Sequence, residues 1–332
     1  MPISSRDLVR RCLDCRPTDR PPIVMHFGPY AARLQQLSYQ QVTTDATLLA
    51  NALQGAPRLF DCDGLIILAD PTIEAEACGC AVEWRDDQPV VTSHPLEGAA
   101  PSDIAPAGVD TGGRLAVAFE VARRLQAVIG KDVALLPEVA GPVTLAGHLR
   151  GPSFLAELLE ESESALRALD LAAQVTVHVA KQYLQLGIHL LVVVDPVLGR
   201  LDQARFARVA SNLRTLWNVA DFFDARILLQ TEISDSSGIE GLVGLGAGGL
   251  VLEGGADLRE VTALAGRRDQ SVGAALPAEL MSGEVHELEQ AVAGWRGGGT
   301  SPYAYFALCD IPRSVPPENV LAVVRLLRAK GE

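Results

Sequence analysis

The chain alternates short, continuous apolar runs with longer stretches whose apolar residues recur at helical spacing. Residues 133–140 (VALLPEVA) are a run of the first kind, and residues 113–130 (GRLAVAFEVARRLQAVIG) are a stretch of the second kind. Short continuous runs predict strands buried on both faces, and the spaced pattern predicts amphipathic helices. Eight such apolar runs are present, at 21–27, 64–70, 133–140, 189–195, 226–232, 249–255, 270–276 and 304–312.

This alternation predicts a parallel sheet with helical crossovers, which either closes into a barrel or stays open. Open nucleotide-binding sheets carry a glycine-rich phosphate loop, but no GxGxxG follows the first run and no GxxxxGK[ST] occurs. The glycines of LVGLGAGGL (242–250) lead into a strand rather than out of one. We therefore predict an α/β fold, a single (β/α)8 TIM barrel over residues 1–332. The segment from about 79 to 112 is predicted to be a hairpin and loop inserted after the second strand.

Composition and charge narrow the classes of partner. Hydrophobic residues make up 48% of the chain and aromatic residues 5%, as expected for a core of Ala, Val, Leu and Ile. The net charge of -13 repels a phosphate backbone, so nucleic-acid binding is excluded. No apolar run is long enough to span a membrane. We expect a cytoplasmic protein that does not contact membranes, and a homodimer is compatible with the sequence.

Six cysteines are spread over the chain, and two of them have CxxC spacing. Cys12 and Cys15 lie in an amphipathic helical pattern (LVRRCLDCR) without a second ligand pair nearby. Two interpretations stay open: a pair of buried helix thiols, or a metal or redox pair.

Polar residues end most of the predicted strands. In a barrel of this type the catalytic groups lie at the carboxyl ends of the strands, which converge on one rim. Such residues hold a divalent ion, exchange protons with a substrate, or cap the next helix, and the sequence leaves all three open. The residues at these ends are His26, Asp70, Glu138, Asp195, Gln230, Glu232, Glu253, Cys309 and Asp310.

Three segments resemble one family, the uroporphyrinogen decarboxylase superfamily, which also contains cobalamin-dependent methyltransferases that act on coenzyme M. The segments are LADPTIEAEACGCAVEW (68–84), VAGPVTLAGHLRG (139–151) and YFALCDIPRSVPPENVLAVV (305–324). The resemblance implies that Asp70 is the essential pocket carboxylate of the decarboxylases. It places His148 where the decarboxylases have a tyrosine, and Cys309 on a zinc-binding cysteine of the methyltransferases. The methyltransferase branch is the nearer one.

Two departures from the family pattern bear on the activity. The decarboxylases have an arginine-rich segment after the first strand, whereas VMHFGPYAARL (24–34) has no arginine before Arg33. Each lost charge-assisted contact costs about 1.5–3 kcal/mol, so porphyrinogen decarboxylation is disfavoured. The zinc-binding His-x-Cys of the methyltransferases reads Gln230-Thr231-Glu232 here. That change leaves Glu232 and Cys309 as the candidate zinc ligands and disfavours coenzyme M as the acceptor.

The resemblance implies transfer of a methyl group between a small methylated substrate and a corrinoid protein. The cobalamin must be carried by a partner, since the chain has no Asp-x-His-x-x-Gly. The alternatives are a metal-free decarboxylase or lyase on a smaller acid, with Asp70 handling the proton, and a non-catalytic binding protein. The expected roles are catalysis for Asp70, His148 and Asp195, substrate binding for His26, Glu138, Gln230 and Glu253, and zinc binding for Glu232 and Cys309.

Overall fold

A computed structural model describes residues 3–103, 109, 112–233, 239–254, 270–276, 281–284, 286–287, 289–290 and 307–329. Within these ranges, eight parallel strands close into a barrel, and two further strands form a separate antiparallel hairpin. The strands are β1 (Ile23–His26), β2 (Gly64–Ile67), β3 (Val82–Arg85), β4 (Gln88–Val91), β5 (Ala134–Ala140), β6 (Leu190–Val194), β7 (Arg226–Ile233), β8 (Gly249–Gly254), β9 (Ser271–Leu276) and β10 (Ala307–Asp310). Around the barrel the order is β1-β10-β9-β8-β7-β6-β5-β2. The predicted barrel and the predicted hairpin after β2 are both confirmed.

The helices mostly connect successive strands and pack on the outside of the barrel. They are α1 (Ser5–Leu13), α2 (Gly28–Leu34), α3 (Tyr39–Thr43), α4 (Ala46–Gln54), α5 (Ala56–Phe60), α6 (Thr72–Ala77), α7 (Gly113–Val128), α8 (Pro142–Arg150), α9 (Phe154–Leu159), α10 (Glu163–Gln185), α11 (Gln203–Phe222), α12 (Ile239–Val243) and α13 (Pro317–Arg328). The helical spacing of apolar residues also predicts helices at 257–266 and 277–297. The first lies outside the described residues, and so does most of the second.

An inner core fills the barrel, and α1 closes its amino-terminal end. The side chains of Val24, Leu136 and Val192 belong to this core, and Val9 and Cys12 of α1 pack against them. Cys12 is fully buried, and burial, with the neighbouring Cys15 adding to it, raises the pKa of its thiol. Of the two interpretations of the CxxC spacing, the structure therefore supports buried helix thiols. A larger outer core lies between the strands and the helices.

A buried carboxylate ties this closed end together. Asp63 is fully buried, accepts from the Ile23 backbone N–H at 2.9 Å and from Ser5 Oγ at 2.8 Å, and forms an ion pair with Arg20 at 2.6 Å. Burial alone would raise the pKa of this carboxyl, but the hydrogen bonds and the charge of Arg20 outweigh burial and hold the pKa below its usual range. One side chain thus connects α1, the segment before β1, and the start of β2.

Asp63→Asn should lower the free energy of unfolding by about 3 kcal/mol, because it breaks a buried ion pair from one side. The contribution of Asp63 is fully present above its unfolded pKa of 3.8 and is lost as the pH falls through the lower folded pKa. Urea titrations at pH 7 and at pH 3 measure both effects. The matched control is Asp61→Asn, whose 69% exposed side chain pairs with Arg328 at 3.0 Å and should cost less than about 1 kcal/mol. Equal losses in the two variants would contradict this assignment.

Candidate active site at the carboxyl ends of the strands

A cavity of about 490 Å³ opens at the carboxyl ends of β1, β2 and β10. The inserted hairpin and α3 form its remaining walls. This volume lies in the range of small-molecule sites. We refer to it as the rim cavity, and it is lined by His26, Pro29, Tyr39, Ala69, Asp70, Pro71, Thr72, Gln88, Pro89, Ile311, Pro312 and Arg313.

His26 reaches the rim cavity as the last residue of β1. Its ring lies against the backbone of Gly28, where an added Cβ would come within 2.5 Å of His26 Nε2. A side chain at position 28 would therefore displace the imidazole. This geometry agrees with the prediction that His26, at the carboxyl end of the first strand, lies at the rim.

Asp70 also lines the rim cavity, but its carboxylate is held by the protein. Thr72, the first residue of α6, donates to it from the backbone N–H at 2.9 Å and from Oγ1 at 2.6 Å. Arg114 forms an ion pair with the second carboxylate oxygen. Both oxygens of the Asp70 carboxylate are therefore engaged by the protein.

Arg114 is the centre of a buried network that the sequence did not reveal. It donates to Glu76 at 2.5 Å and to Thr72 Oγ1 at 2.9 Å, in addition to Asp70. The ring of Trp84, on the inserted hairpin, lies 5.4 Å from the guanidinium carbon. Because Arg114 is the second residue of α7, one side chain connects β2, α6, α7 and the hairpin.

Asp195 caps a helix and does not line the rim cavity. Its carboxylate accepts from the backbone N–H groups of Val143 at 2.9 Å and Thr144 at 3.1 Å, at the start of α8. A Cβ at Gly141 would approach the Asp195 side chain to 2.5 Å, so glycine is required there. Complete burial raises the pKa of Asp195 to about 6, although these hydrogen bonds oppose the rise. The catalytic role predicted for Asp195 stays a prediction.

His148 lies in α8 and is half-buried, outside the residues that line the rim cavity. Burial lowers the pKa of its imidazole; the charge of Asp70 opposes this shift and His94 adds to it. His94, just after the hairpin, hydrogen-bonds through Nδ1 to the His148 carbonyl at 2.7 Å. The catalytic role of His148 is likewise untested by this geometry.

A second buried carboxyl was missed in the sequence. Glu74 of α6 is almost completely buried and accepts from the Ala140 N–H at 3.2 Å, at the end of β5. Burial raises its pKa to about 8, with the nearby charge of Asp70 adding to the shift. The carboxyl of Glu74 therefore takes up a proton at a higher pH than an exposed glutamate does. In the sequence, nothing distinguishes Glu74 except that it is a glutamate among alanines in a short helix.

Two of the other predicted substrate residues, Gln230 and Glu253, lie on the opposite side of the barrel from β1, whereas the third, Glu138, lies on β5, next to β2. Gln230 of β7 donates through its amide nitrogen to Glu253 of β8 at 2.5 Å, and the buried amide oxygen of Gln230 has no hydrogen-bond partner among the described residues. Glu138 is half-buried on β5, in register with Val192 of the inner core. None of the three lines the rim cavity, and their substrate contacts stay predictions.

Of the two predicted zinc ligands, only Glu232 has a described side chain, and it is engaged by another residue. Glu232 forms an ion pair with Arg200, which occupies its carboxylate. Cys309 stands in register with Met25 of the outer core, whereas Asp310 stands in register with His26; the side chain of Cys309 lies outside the described residues. Among the described residues, no three His, Cys, Asp or Glu side chains are grouped for a metal ion. Likewise, no described helix is long and apolar enough to cross a membrane.

Comparisons with known proteins agree with the geometry of the fold. Methylcobamide:CoM methyltransferase MtbA of Methanosarcina mazei is 24% identical over 197 residues, which cover 58% of this chain and 58% of that protein. The alignment thus spans less than two thirds of the relative's length. MtaA of Methanosarcina barkeri, another methylcobamide:CoM methyltransferase, is 25% identical over 273 residues, or 76% of each chain.

A solved structure and a family comparison complete the assignment. The structure of a methyltransferase from Methanosarcina mazei superimposes with a TM-score of 0.86 over 98% of both chains, at 21% identity, and shows the same fold. The sequence model of the uroporphyrinogen decarboxylase (URO-D) family matches residues 4–329. The chain therefore belongs to the uroporphyrinogen decarboxylase (URO-D) family.

Proposed function

We propose that this protein transfers a methyl group between a small substrate and a corrinoid carried by a partner protein. The observation that carries the proposal is the similarity to methyltransferases named for methylcobamide, within a family whose barrel this chain shares. The rim cavity supports it, because about 490 Å³ accommodates a small molecule but not a corrinoid ring system. The corrinoid, when present, supplies the cobalt centre that carries the methyl group. We also expect a cytoplasmic location, and a homodimer stays a prediction.

The residues that line the rim cavity have different roles in this proposal. His26 is the group best placed to exchange a proton with the substrate or to orient it, since it lines the rim cavity and an imidazole can both donate and accept hydrogen bonds. Asp70 fixes the wall through Thr72 and Arg114. The prolines and Tyr39 exclude water from one side of the substrate. Asp70 is then a positioning residue rather than a catalytic one.

The lyase alternative is weaker on the same geometry. It needs Asp70 to take up and release a proton. Three hydrogen bonds from Thr72 and Arg114 already engage both oxygens of the Asp70 carboxylate, which leaves it poorly placed to receive a substrate proton. No described feature favours a non-catalytic role over methyl transfer.

This chain also differs from the decarboxylases in lacking an arginine-rich segment after β1. Arg33, the first arginine after β1, donates to the backbone carbonyls of Arg313 at 2.7 Å and Val315 at 2.6 Å. It therefore holds a loop and is not available for a polycarboxylate. Only one arginine, Arg313, is found among the described residues that line the rim cavity.

The methyl-transfer assay uses methylcobalamin as donor and small thiols as acceptors, and it follows demethylation of the cobalamin by absorbance. We expect turnover by the purified protein and a loss of about tenfold or more in His26→Asn, the effect of one lost charge-assisted hydrogen bond. The matched control is His178→Asn, on the exposed face of α10, which should keep wild-type activity. Equal activity in both variants would remove His26 from the site.

Uroporphyrinogen should not be decarboxylated, because one arginine cannot bind a molecule with many carboxylates. The measurement is chromatography of porphyrins after incubation of uroporphyrinogen with the pure enzyme. Formation of coproporphyrinogen at a rate above the enzyme-free control would contradict this prediction.

Zinc should not bind through Glu232 and Cys309, because Arg200 already neutralises Glu232. Calorimetric zinc titrations of wild type and Cys309→Ala should give the same isotherm. Cys78→Ala, which removes a half-buried thiol elsewhere, serves as the control for a general thiol effect. Loss of a binding step in Cys309→Ala alone would restore Cys309 as a ligand.

A further inference from the structure

A second cavity, of about 440 Å³, lies at the opposite end of the barrel from the rim cavity. Its described walls include the first residues of β7, the residues just before β8 and β9, and the end of α1, the helix that closes the amino-terminal end. Its volume lies in the range of small-molecule sites. We refer to it as the amino-terminal cavity, and its described polar side chains are Asp14, Arg16, Trp217, Asp221, Arg226 and Gln270.

Two buried polar atoms in the walls of this cavity have no hydrogen-bond partner among the described residues. They are the indole nitrogen Nε1 of Trp217 and the amide oxygen Oε1 of Gln270. Trp217 is 8% exposed and Gln270 is 4% exposed, so water solvates neither side chain well. The amide of Gln270 has a fixed orientation, because its Nε2 donates to the Ala247 carbonyl at 3.0 Å. Buried polar groups are nearly always paired, so an unpaired donor and an unpaired acceptor in one cavity favour a ligand that offers a partner to each.

The charged side chains of the amino-terminal cavity divide into a paired set and an unpaired set. Arg226 Nε donates to Asp14 Oδ1 at 2.8 Å, so these two charges neutralise each other. Arg16 and Asp221 are exposed, and neither forms an ion pair with another described residue. The described lining therefore has no net charge, but it presents one accessible cation and one accessible anion.

The rest of the described lining is mostly apolar. Leu13, Ile227 and Val243 are buried and lie in the same walls as the polar groups. An aliphatic group of a ligand is removed from water when it packs against such side chains, which favours its binding. The cavity thus combines a donor and an acceptor, one charge of each sign, and an aliphatic surface.

We propose that the amino-terminal cavity binds a small zwitterion of the amino-acid type, with a carboxylate, an ammonium group and an aliphatic side chain. The Trp217 N–H and the guanidinium of Arg16 donate to the carboxylate, and Gln270 Oε1 and Asp221 accept from the ammonium group. A ligand with only one of the two charged groups leaves half of these partners unpaired, so the cavity selects zwitterions. The site is separate from the rim cavity, and the inference does not rest on the proposed function.

L-leucine and three analogues test the proposal, because each analogue lacks one part of the zwitterion. The analogues are 3-methylbutylamine (no carboxylate), 4-methylpentanoate (no ammonium group) and glycine (no aliphatic side chain), each titrated calorimetrically into the wild-type protein at pH 7. We expect L-leucine to bind at least about tenfold more tightly than either singly charged analogue, as one charge-assisted hydrogen bond provides. Glycine should also bind more weakly than L-leucine. Absence of L-leucine binding, or binding no tighter than that of a singly charged analogue, would overturn the proposal without any variant.

Trp217→Phe then tests the buried donor, because it removes the N–H and keeps an aromatic ring. It should weaken the binding of L-leucine and 4-methylpentanoate by about tenfold and leave that of 3-methylbutylamine unchanged. The matched control is Trp84→Phe, at the rim end of the barrel, which should bind L-leucine like wild type. Thermal unfolding of each variant verifies that it is folded. Unchanged L-leucine binding in folded Trp217→Phe, or a loss in Trp84→Phe instead, would overturn the assignment.

Two exposed positions provide variants in which folding is not at risk. Asp221→Asn should weaken the binding of L-leucine and 3-methylbutylamine but not that of 4-methylpentanoate. Arg16→Gln should weaken the binding of L-leucine and 4-methylpentanoate but not that of 3-methylbutylamine. Losses that follow the charge of the probe in this way would support the zwitterion site. Affinities that stay unchanged in both variants, or that fall equally for all probes, would contradict it.

Discussion

The buried guanidinium of Arg114 is the group on which the described part of the rim depends. It neutralises Asp70, binds Thr72 and Glu76, and lies beside the ring of Trp84. Withdrawing a charge from water is costly unless every donor and acceptor is paired, so this network is stable only when it is complete. Through it, the end of β2, two helices and the inserted hairpin keep one arrangement around the rim cavity.

Most of the fold could be predicted because each strand is marked by a short apolar run in its own segment of the sequence. GLII (64–67) and LLVVV (190–194) are continuous apolar runs, as parallel strands buried on both faces require. Arg114 and Glu74 could not be found in this way. In the sequence, Arg114 is a polar residue in the opening turn of α7, and Glu74 is one of two glutamates in α6. Their importance comes from contacts 44 and 66 residues away in sequence.

The expectation that functional groups lie at the carboxyl ends of the strands located the rim. It could not assign a role to each residue there. It identified His26 and Asp70, which line the rim cavity. It also identified Asp195, whose carboxylate caps α8, a helix that follows a different strand. Glu232 ends a strand too, but it faces Arg200. A polar residue after an apolar run looks the same in sequence whether it caps, pairs or binds substrate, and only its tertiary partner distinguishes these cases.

The rim cavity therefore combines a wall at Asp70, fixed by Thr72 and Arg114, with the imidazole of His26. Such a site suits a small molecule, and methyl transfer is the chemistry that we propose for it. The most direct test is a crystal structure of the protein with a small thiol acceptor, 2-mercaptoethanol, bound. The account predicts electron density for the thiol in the rim cavity, beside His26. Density at the opposite side of the barrel, beside Gln230 and Glu253, would contradict it.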